Sequence, residues 1–548
     1  MDHDRPVLIR GGNVFTSSAG APWAEALVIQ GSHIAAVGPL EALAERFPGA
    51  TELDVGGRTV LPGLIDAHNH FLATGESLSS EDARYPNTGS IDDLVRKLAD
   101  AALRTPTGEW ITAFGWDDAK YRRQLTRWDL DRASVAHPIR VHHVSGHHAF
   151  VNSLALDQRG VRADTPDPQG GRLVRGPDGQ LTGLCLDTGM NLILPVAVDI
   201  GAHGPNFHTE TTVAESVAHV ERAGRAFLEA GLTTVCDAQV TRRELVAYRE
   251  ARRQGRLGVR TVCMPLSSQL DEFLALGLAG PFGDDHLSVG AMKFYADGSL
   301  IGGTASFSEP YGENGQFEGS MYWSPAELHE MIMSAHLGGW QVGVHVQGDR
   351  AMSVVLDALE AAVRAAPRDH RHRLEHAGFA TSQLIERIAR LGAITINQPN
   401  YLFDSGDEFL ARLGERAHRL QSLRDELKAG IVVVLSSDSD VTSFRPLATI
   451  RSAMARRTRS GAPIGPSQAL SLEEALRAHT ISAAYALRME DRIGSIESGK
   501  LADIVVVDGD LATTTVEEIS SLGIWLTMLE GRVEHAVDPS LTSRRTLG

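Results

Sequence analysis

The 548-residue sequence is 43% hydrophobic and 22% charged, which is the composition of a chain that folds around a sizeable core and excludes a disordered or low-complexity one. Its 52 Lys and Arg against 69 Asp and Glu leave a formal charge of −17, so nucleic acid and anionic membrane surfaces are poor partners. Three cysteines, Cys185, Cys236 and Cys263, without C-x-x-C spacing exclude a disulfide framework and a thiolate zinc site. MDHDRPVLIRGG lacks the pattern of a leader, and no apolar run reaches the roughly 18 residues of a membrane span, so a soluble cytoplasmic protein is expected.

Residues 6–60 read as short strands broken by turns (VLIRGGNVF, AEALVIQGSHIAAVG, TELDVGGRTV), in the pattern of a small antiparallel sheet. GSIESGKLADIVVVDGD and IWLTMLEGRVEHAV repeat the style at the other end. Residues 1–60 and 485–548 are therefore expected to form one composite β-sandwich domain. Between them, over 61–484, lie eight apolar runs that each end in a polar cluster: 60–70, 232–239, 259–266, 290–298, 341–349, 372–378, 393–400 and 430–440. Helical stretches such as SPAELHEMIMSAH separate several of them, which predicts parallel strands with crossover helices and a distorted (β/α)8 TIM barrel of the α/β class. Residues 71–225 exceed any single crossover and carry WITAFGW, IRVHHVSG and the hairpin GGRLVRGPDGQLTGLCL, so they read as an α/β insertion covering the barrel mouth. Its aromatic residues Trp110, Phe114, Trp116, Tyr121 and Trp128 either line a pocket or fill the insertion's own core.

The first run ends in His68-Asn69-His70, and alternate side chains on a strand can address one ion. Lys293, His345, His376 and Asp438 stand at or near the ends of later runs, where a barrel delivers its active-site residues. Histidine and carboxylate suit zinc and similar divalent ions. His370 and His372 share the H-x-H spacing but precede their strand, so they are expected at solvent. Lys293, an ammonium in a barrel beside metal, would be driven toward a neutral or anionic form; carboxylation by CO2 would give a carbamate able to bridge two ions. The alternative is a salt bridge to Asp297.

LPGLIDAHNH, GWDDAKYRRQLTRWDLDRAS, SGHHAFVNSLAL, DPQGGRLVRGPDGQLTG, KFYADGSL, HVQGDRA, RLEHA and GSIESGKLADIVVVD together resemble the metal-dependent amidohydrolase superfamily, in particular amidohydrolase family 3, the group that includes N-substituted formamide deformylases. The resemblance implies hydrolysis of a C–N bond in a small-molecule amide at a centre of one or two divalent ions, zinc favoured. Position by position, it implies His68, His70 and Asp438 as ligands of the more buried ion, His345 and His376 of the more exposed one, and Lys293 as the bridge. Asp438 would take a proton from the activated water and return it to the leaving nitrogen. His147 and Asn152 resemble positions near substrate, Trp116 is a candidate pocket residue, and Asp297 and Asp349 could orient ligands. The family often has Pro two residues after the metal-binding Asp; here that residue is Asp440, so the loop is expected to differ. A homodimer is compatible with this reading.

Gly494-Ser-Ile-Glu-Ser-Gly499-Lys500 approaches a phosphate-binding loop, but Leu501 replaces the hydroxyl residue and a strand follows, which argues against nucleotide binding. No G-x-S-x-G elbow occurs. Two other readings of the same ligands stay open: a mononuclear amidohydrolase with uncarboxylated Lys293, and a non-catalytic scaffold that keeps the fold.

Overall fold

The computed structural model describes residues 5–121, 123–312, 314, 315, 317 and 319–542. A strand lies in each of the eight apolar runs. Leu64–Asn69, Leu232–Val240 and Arg260–Pro265 pair in parallel, in that order. Met292–Tyr295, Val342–Val346, Arg373–His376, Ile394–Asn397 and Val433–Leu435 form a second parallel series. The two series meet at both ends: Leu266 bridges Lys293 in parallel, and the Asp438 N–H donates to the His68 carbonyl at 2.9 Å.

Alternation along these strands feeds two cores. Leu64, Val235, Val344, Leu374 and Leu435 turn outward to helices that include Val213–Glu229, Arg242–Arg253, Pro325–Leu337 and Asp349–Ala365. Ile65, Cys236, Val262, Ile394 and Val434 turn to the other side, where the helix Ile481–Ala486 closes the end of the cluster. Three of the outer helices begin in capping boxes, Thr212 with Glu215, Thr241 with Glu244 and Ser324 with Glu327. Each box satisfies two of the backbone donors that a helix start leaves over, so the entry point of each crossover is fixed by sequence.

The two ends of the chain share a six-stranded sheet, in which Ile504–Val507 pairs antiparallel with Thr59–Pro62. A four-stranded sheet packs against it through Val7, Ile9, Leu27, Val60, Ile504 and Leu526. The early strands are not purely antiparallel, as the alternation had suggested. Val7–Arg10 runs parallel to Thr51–Asp54, and Asn13–Phe15 parallel to Thr59–Pro62. The chain changes sheets at Gly11-Gly12: Gly11 has φ +77°, and a Cβ on Gly12 would lie 2.1 Å from the Arg58 carbonyl oxygen. Only glycine permits that crossing.

The insertion holds its own six-stranded sheet. Its hairpin pairs Gly171–Arg175 with Leu181–Asp187 around Pro177-Asp178-Gly179, and Gly179 supplies the positive φ. Among the described residues no helix is long and apolar enough to cross a membrane.

Candidate metal centre and cleft

His68 is fully buried at the end of the first central strand. The pairing of that strand with its neighbour shifts register twice, which re-aims its side chains near the tip. His68 Nδ1 lies 2.6 Å from Glu375 Oε2 and its Nε2 3.3 Å from Asp438 Oδ1. Because the partner of Nδ1 is a carboxylate, Nδ1 carries the proton and Nε2 the lone pair. His376 repeats the device: Nδ1 donates to Gln398 Oε1 at 2.8 Å, which leaves Nε2 as the lone pair. Ligand atoms of His68, His376 and Asp438 all lie within 4.8 Å of one another. His70 Nε2 joins them, 3.1 Å from Asp438 Oδ1.

Asp438 is held at its other oxygen, Oδ2, by the Tyr401 hydroxyl. His376 has φ +72° and Asp438 φ +53°, the left-handed region that residues with a Cβ rarely enter. Such conformations cost on the order of 1–3 kcal/mol each and cluster at functional sites. Here they turn both side chains out of strand alternation and into the group.

His345 stands beside this group, its ring centroid 4.5 Å from that of His376, with Nε2 3.2 Å from the Gly298 carbonyl oxygen. Asp297 accepts backbone N–H from Ser306, Gln347 and Gly348 at 2.8–2.9 Å and lies 4.0 Å from His345 Nε2. It therefore pins the turn that follows the strand carrying His345. Lys293 is fully buried and its Nζ has no hydrogen-bond partner among the described residues, so the alternative salt bridge to Asp297 is not present. The ammonium faces the Tyr295 ring at 4.6 Å.

Burial works against every charge in this group, and the neighbours decide which survive. Burial opposes ionisation of Glu375, but Arg373 and His68 outweigh it and hold that carboxyl well below the usual range. Burial likewise opposes the Asp438 carboxylate, and the Tyr401 hydroxyl that donates to Oδ2 works in its favour. Burial pushes His376 down to about 3, and His345 well below its ordinary value, so both imidazoles keep their lone pairs at neutral pH. Lys293 falls to about 8, burial outweighing Glu375 and Asp438.

The group opens into a cleft lined by His68, His70, His345, His376 and Asp438. His147 also lines it; its Nδ1 donates to Asp187 Oδ1 at 2.7 Å, and that oxygen accepts the Tyr322 hydroxyl at 2.9 Å as well.

Four expectations are corrected. Trp116 is fully buried in the insertion's core, stacked on Tyr121 at 3.9 Å, because its strand turns it away from the cleft. Asn152 is also fully buried; it caps the helix Ser153–Gln158, accepting from Ala155 and Ile139 and donating to Ser134 and His137, so no polar atom is left for substrate. Asp349 accepts from the Ser308 N–H and hydroxyl, tying a loop to a helix start rather than orienting a ligand. His370 and His372 are buried, not solvated: His370 bonds the Leu391 carbonyl, and His372 bonds His336 at 2.9 Å and the Val342 N–H at 3.0 Å.

Reading of the sequence missed Glu375, Gln398 and Tyr401, which fix the three converging residues His68, His376 and Asp438. RLEHA contained a signal for Glu375, a carboxylate one residue from a candidate ligand. Nothing local marks Gln398 or Tyr401.

Residues 51–535 match the amidohydrolase family, and residues 26–50 match a bacterial imidazolonepropionase-like composite domain. N-substituted formamide deformylase of Arthrobacter pascens is 31% identical, over 97% of this chain and 98% of its own length. Protein LONG AFTER FAR-RED 3 of Arabidopsis thaliana is 32% identical, over 94% of this chain and 88% of its own. An uncharacterized metal-dependent hydrolase from Pyrococcus horikoshii OT3 superposes with a TM-score of 0.75 at 24% identity, covering 93% of this chain and 99% of that one. The fold is accordingly a TIM-barrel-like α/β fold. The chain belongs to the amidohydrolase family and is a hydrolase of carbon–nitrogen bonds.

Proposed function

We propose that this chain hydrolyses an amide or formamide bond of a small molecule at the centre formed by His68, His70, His376 and Asp438, with His345 and Lys293 beside it. One observation carries the reading: His68 Nε2 and Asp438 Oδ1 are buried without hydrogen-bond partners, while Glu375 and Tyr401 hold the opposite atom of each. Orphaned buried polar atoms cost about 1–3 kcal/mol each, and these are lone-pair donors aimed at one place. Nitrogen and oxygen donors of this kind fit a divalent ion, zinc first.

An ion held there would supply a water of lowered pKa and polarise the substrate carbonyl. The remaining steps belong to the protein. Asp438 accepts the proton of the attacking water and delivers it to the leaving nitrogen, and the Tyr401 hydroxyl keeps Oδ2 fixed while it does so. His147, steadied by Asp187 and Tyr322, lines the same cleft with Nε2 as its lone pair and is placed to accept a hydrogen bond from the substrate.

Lys293 is proposed to be carboxylated and to bridge a second ion; its buried, partnerless Nζ with a pKa near 8 supports this, since the neutral amine is the form that attacks CO2. The mononuclear reading is favoured instead by the tight His68, His376 and Asp438 group, which the ligand atoms of His345 do not join. For the chain as a whole, the central strands are proposed to form a distorted (β/α)8 barrel over 61–484, with 1–60 and 485–548 as a composite β-sandwich and 71–225 as the covering insertion. A screen of N-acyl and N-formyl amines against metal-loaded protein tests the activity. His68→Ala and Asp438→Asn are expected to lose turnover by about 10³-fold or more while remaining folded, and full activity in either would overturn the assignment.

A further inference from the structure

The roof of the cleft is one face of the inserted sheet. Arg140 and His142 alternate along Ile139–His143 and stand in register with Thr112 and Phe114 of Ile111–Trp116. All four line the cleft that holds His68 and Asp438. The other face of the same pair sends Ile111, Ala113, Ile139 and Val141 into the insertion's core. Alternation thus presents one permanent cation to the reacting centre.

Arg140 is fixed, its guanidinium 5.9 Å from the centroid of the Trp110 ring, but its Nη donors are unused. Its Nε donates to Thr112 Oγ1 at 2.9 Å, which sets the plane of the guanidinium. Neither Nη nitrogen has a hydrogen-bond partner among the described residues, Nη1 is sealed from solvent, and no carboxylate among them forms an ion pair with the group. The nearby carboxylate of Glu76 is already bound by Arg243. Burial pushes Arg140 down only to about 10, so it stays charged at neutral pH. His142, pushed by burial to about 3, adds no second charge. Thr209 lines the same region and its hydroxyl also lacks a partner. Arg140, Thr112, Thr209 and Glu76 border an adjoining open pocket as well, so the cation stands where the two spaces meet.

A guanidinium positioned by one hydrogen bond, with the remaining donors idle, is matched by a planar anion that accepts from it. We propose that Arg140 binds a carboxylate carried by the substrate away from the bond that is cut, so that the preferred substrates are N-acyl or N-formyl compounds bearing a free carboxylate. This rests on the hydrolase reading of the same cleft and narrows its substrate class.

The test is calorimetric binding of phenylacetate and of its neutral counterpart phenylacetamide to the metal-loaded full chain, as wild type, Arg140→Met and Arg140→Lys, with melting temperatures to check folding. Wild type is expected to prefer phenylacetate by about ten-fold or more. Arg140→Met should lose that preference, Arg140→Lys should keep part of it, and phenylacetamide should bind all three alike. A preference that survives in Arg140→Met belongs to the metal centre and overturns the proposal, as does the absence of any preference in wild type. Binding as expected with no N-acyl compound hydrolysed would instead sink the hydrolase reading and leave the carboxylate site standing.

Discussion

Replacing Glu375 by Gln tests how the centre is held together. Glu375 Oε2 accepts from His68 Nδ1 at 2.6 Å and from Arg373 Nη2 at 3.0 Å, while Oε1 accepts from Arg373 Nε at 2.7 Å. Every lone pair in use faces a donor, so an amide NH2 meets a donor in either orientation. Facing His68, it pushes the ring proton to Nε2 and removes the lone pair aimed at Asp438. Facing Arg373 Nε, it strands a fully buried guanidinium that has no other carboxylate among the described residues. The first effect is worth about 10–100-fold in metal affinity, or about 1.4–2.7 kcal/mol. The second costs about 3–5 kcal/mol of stability. Chelator competition with zinc and thermal unfolding of the same preparation read the two separately. Gln398→Met, which removes the acceptor of His376 without burying a charge, is the companion variant, expected to weaken metal binding by about ten-fold with a smaller loss of stability. Wild-type metal affinity in both variants would refute the claim that these partners set the lone pairs.

Burial pushes the Glu426 carboxyl up from 4.5 to about 7; the folded state therefore favours its protonated form, and the stability it contributes below about pH 4.5 is lost as pH rises through about 7, in all about 3 kcal/mol. Glu426→Gln should raise the unfolding temperature relative to wild type at about pH 8 and not at about pH 4, and an equal shift at both would contradict the burial argument. Trp116→Ala should cost about 3–5 kcal/mol and leave KM unchanged, whereas a raised KM with normal stability would return Trp116 to the substrate.

The central strands were legible because each is a short apolar run ending in chemistry-bearing residues, and His68, His70 and Asp438 stood out for the same reason. What escaped the sequence depends on direction. His376 and Asp438 leave strand alternation through left-handed backbone, so no periodicity could assign them to one group with His68. Their grouping crosses the division that assigned His68, His70 and Asp438 to one ion and His345 and His376 to another. Trp116 and Phe114 sit two residues apart at the end of one strand, yet the register shift between them sends Phe114 to the cleft and Trp116 to the core. Asn152 and Asp349 carry types that serve helix starts as readily as substrates, and only their partners, Ala155 and Ser308, decide which. His370 and His372 look exposed in a run of charged residues, but the Leu391 carbonyl bonds His370 and His336, distant in sequence, bonds His372.

The most direct test of the account is a zinc titration of the metal-free chain that follows bound metal and hydrolysis of an N-formyl or N-acyl amine together, with the His68→Ala, His376→Ala double variant alongside. The account predicts that hydrolysis rises in step with metal until one or two ions are bound per chain, and that the folded double variant neither retains the metal nor gains activity. Hydrolysis that proceeds without metal, or a double variant that binds and works like wild type, would contradict it.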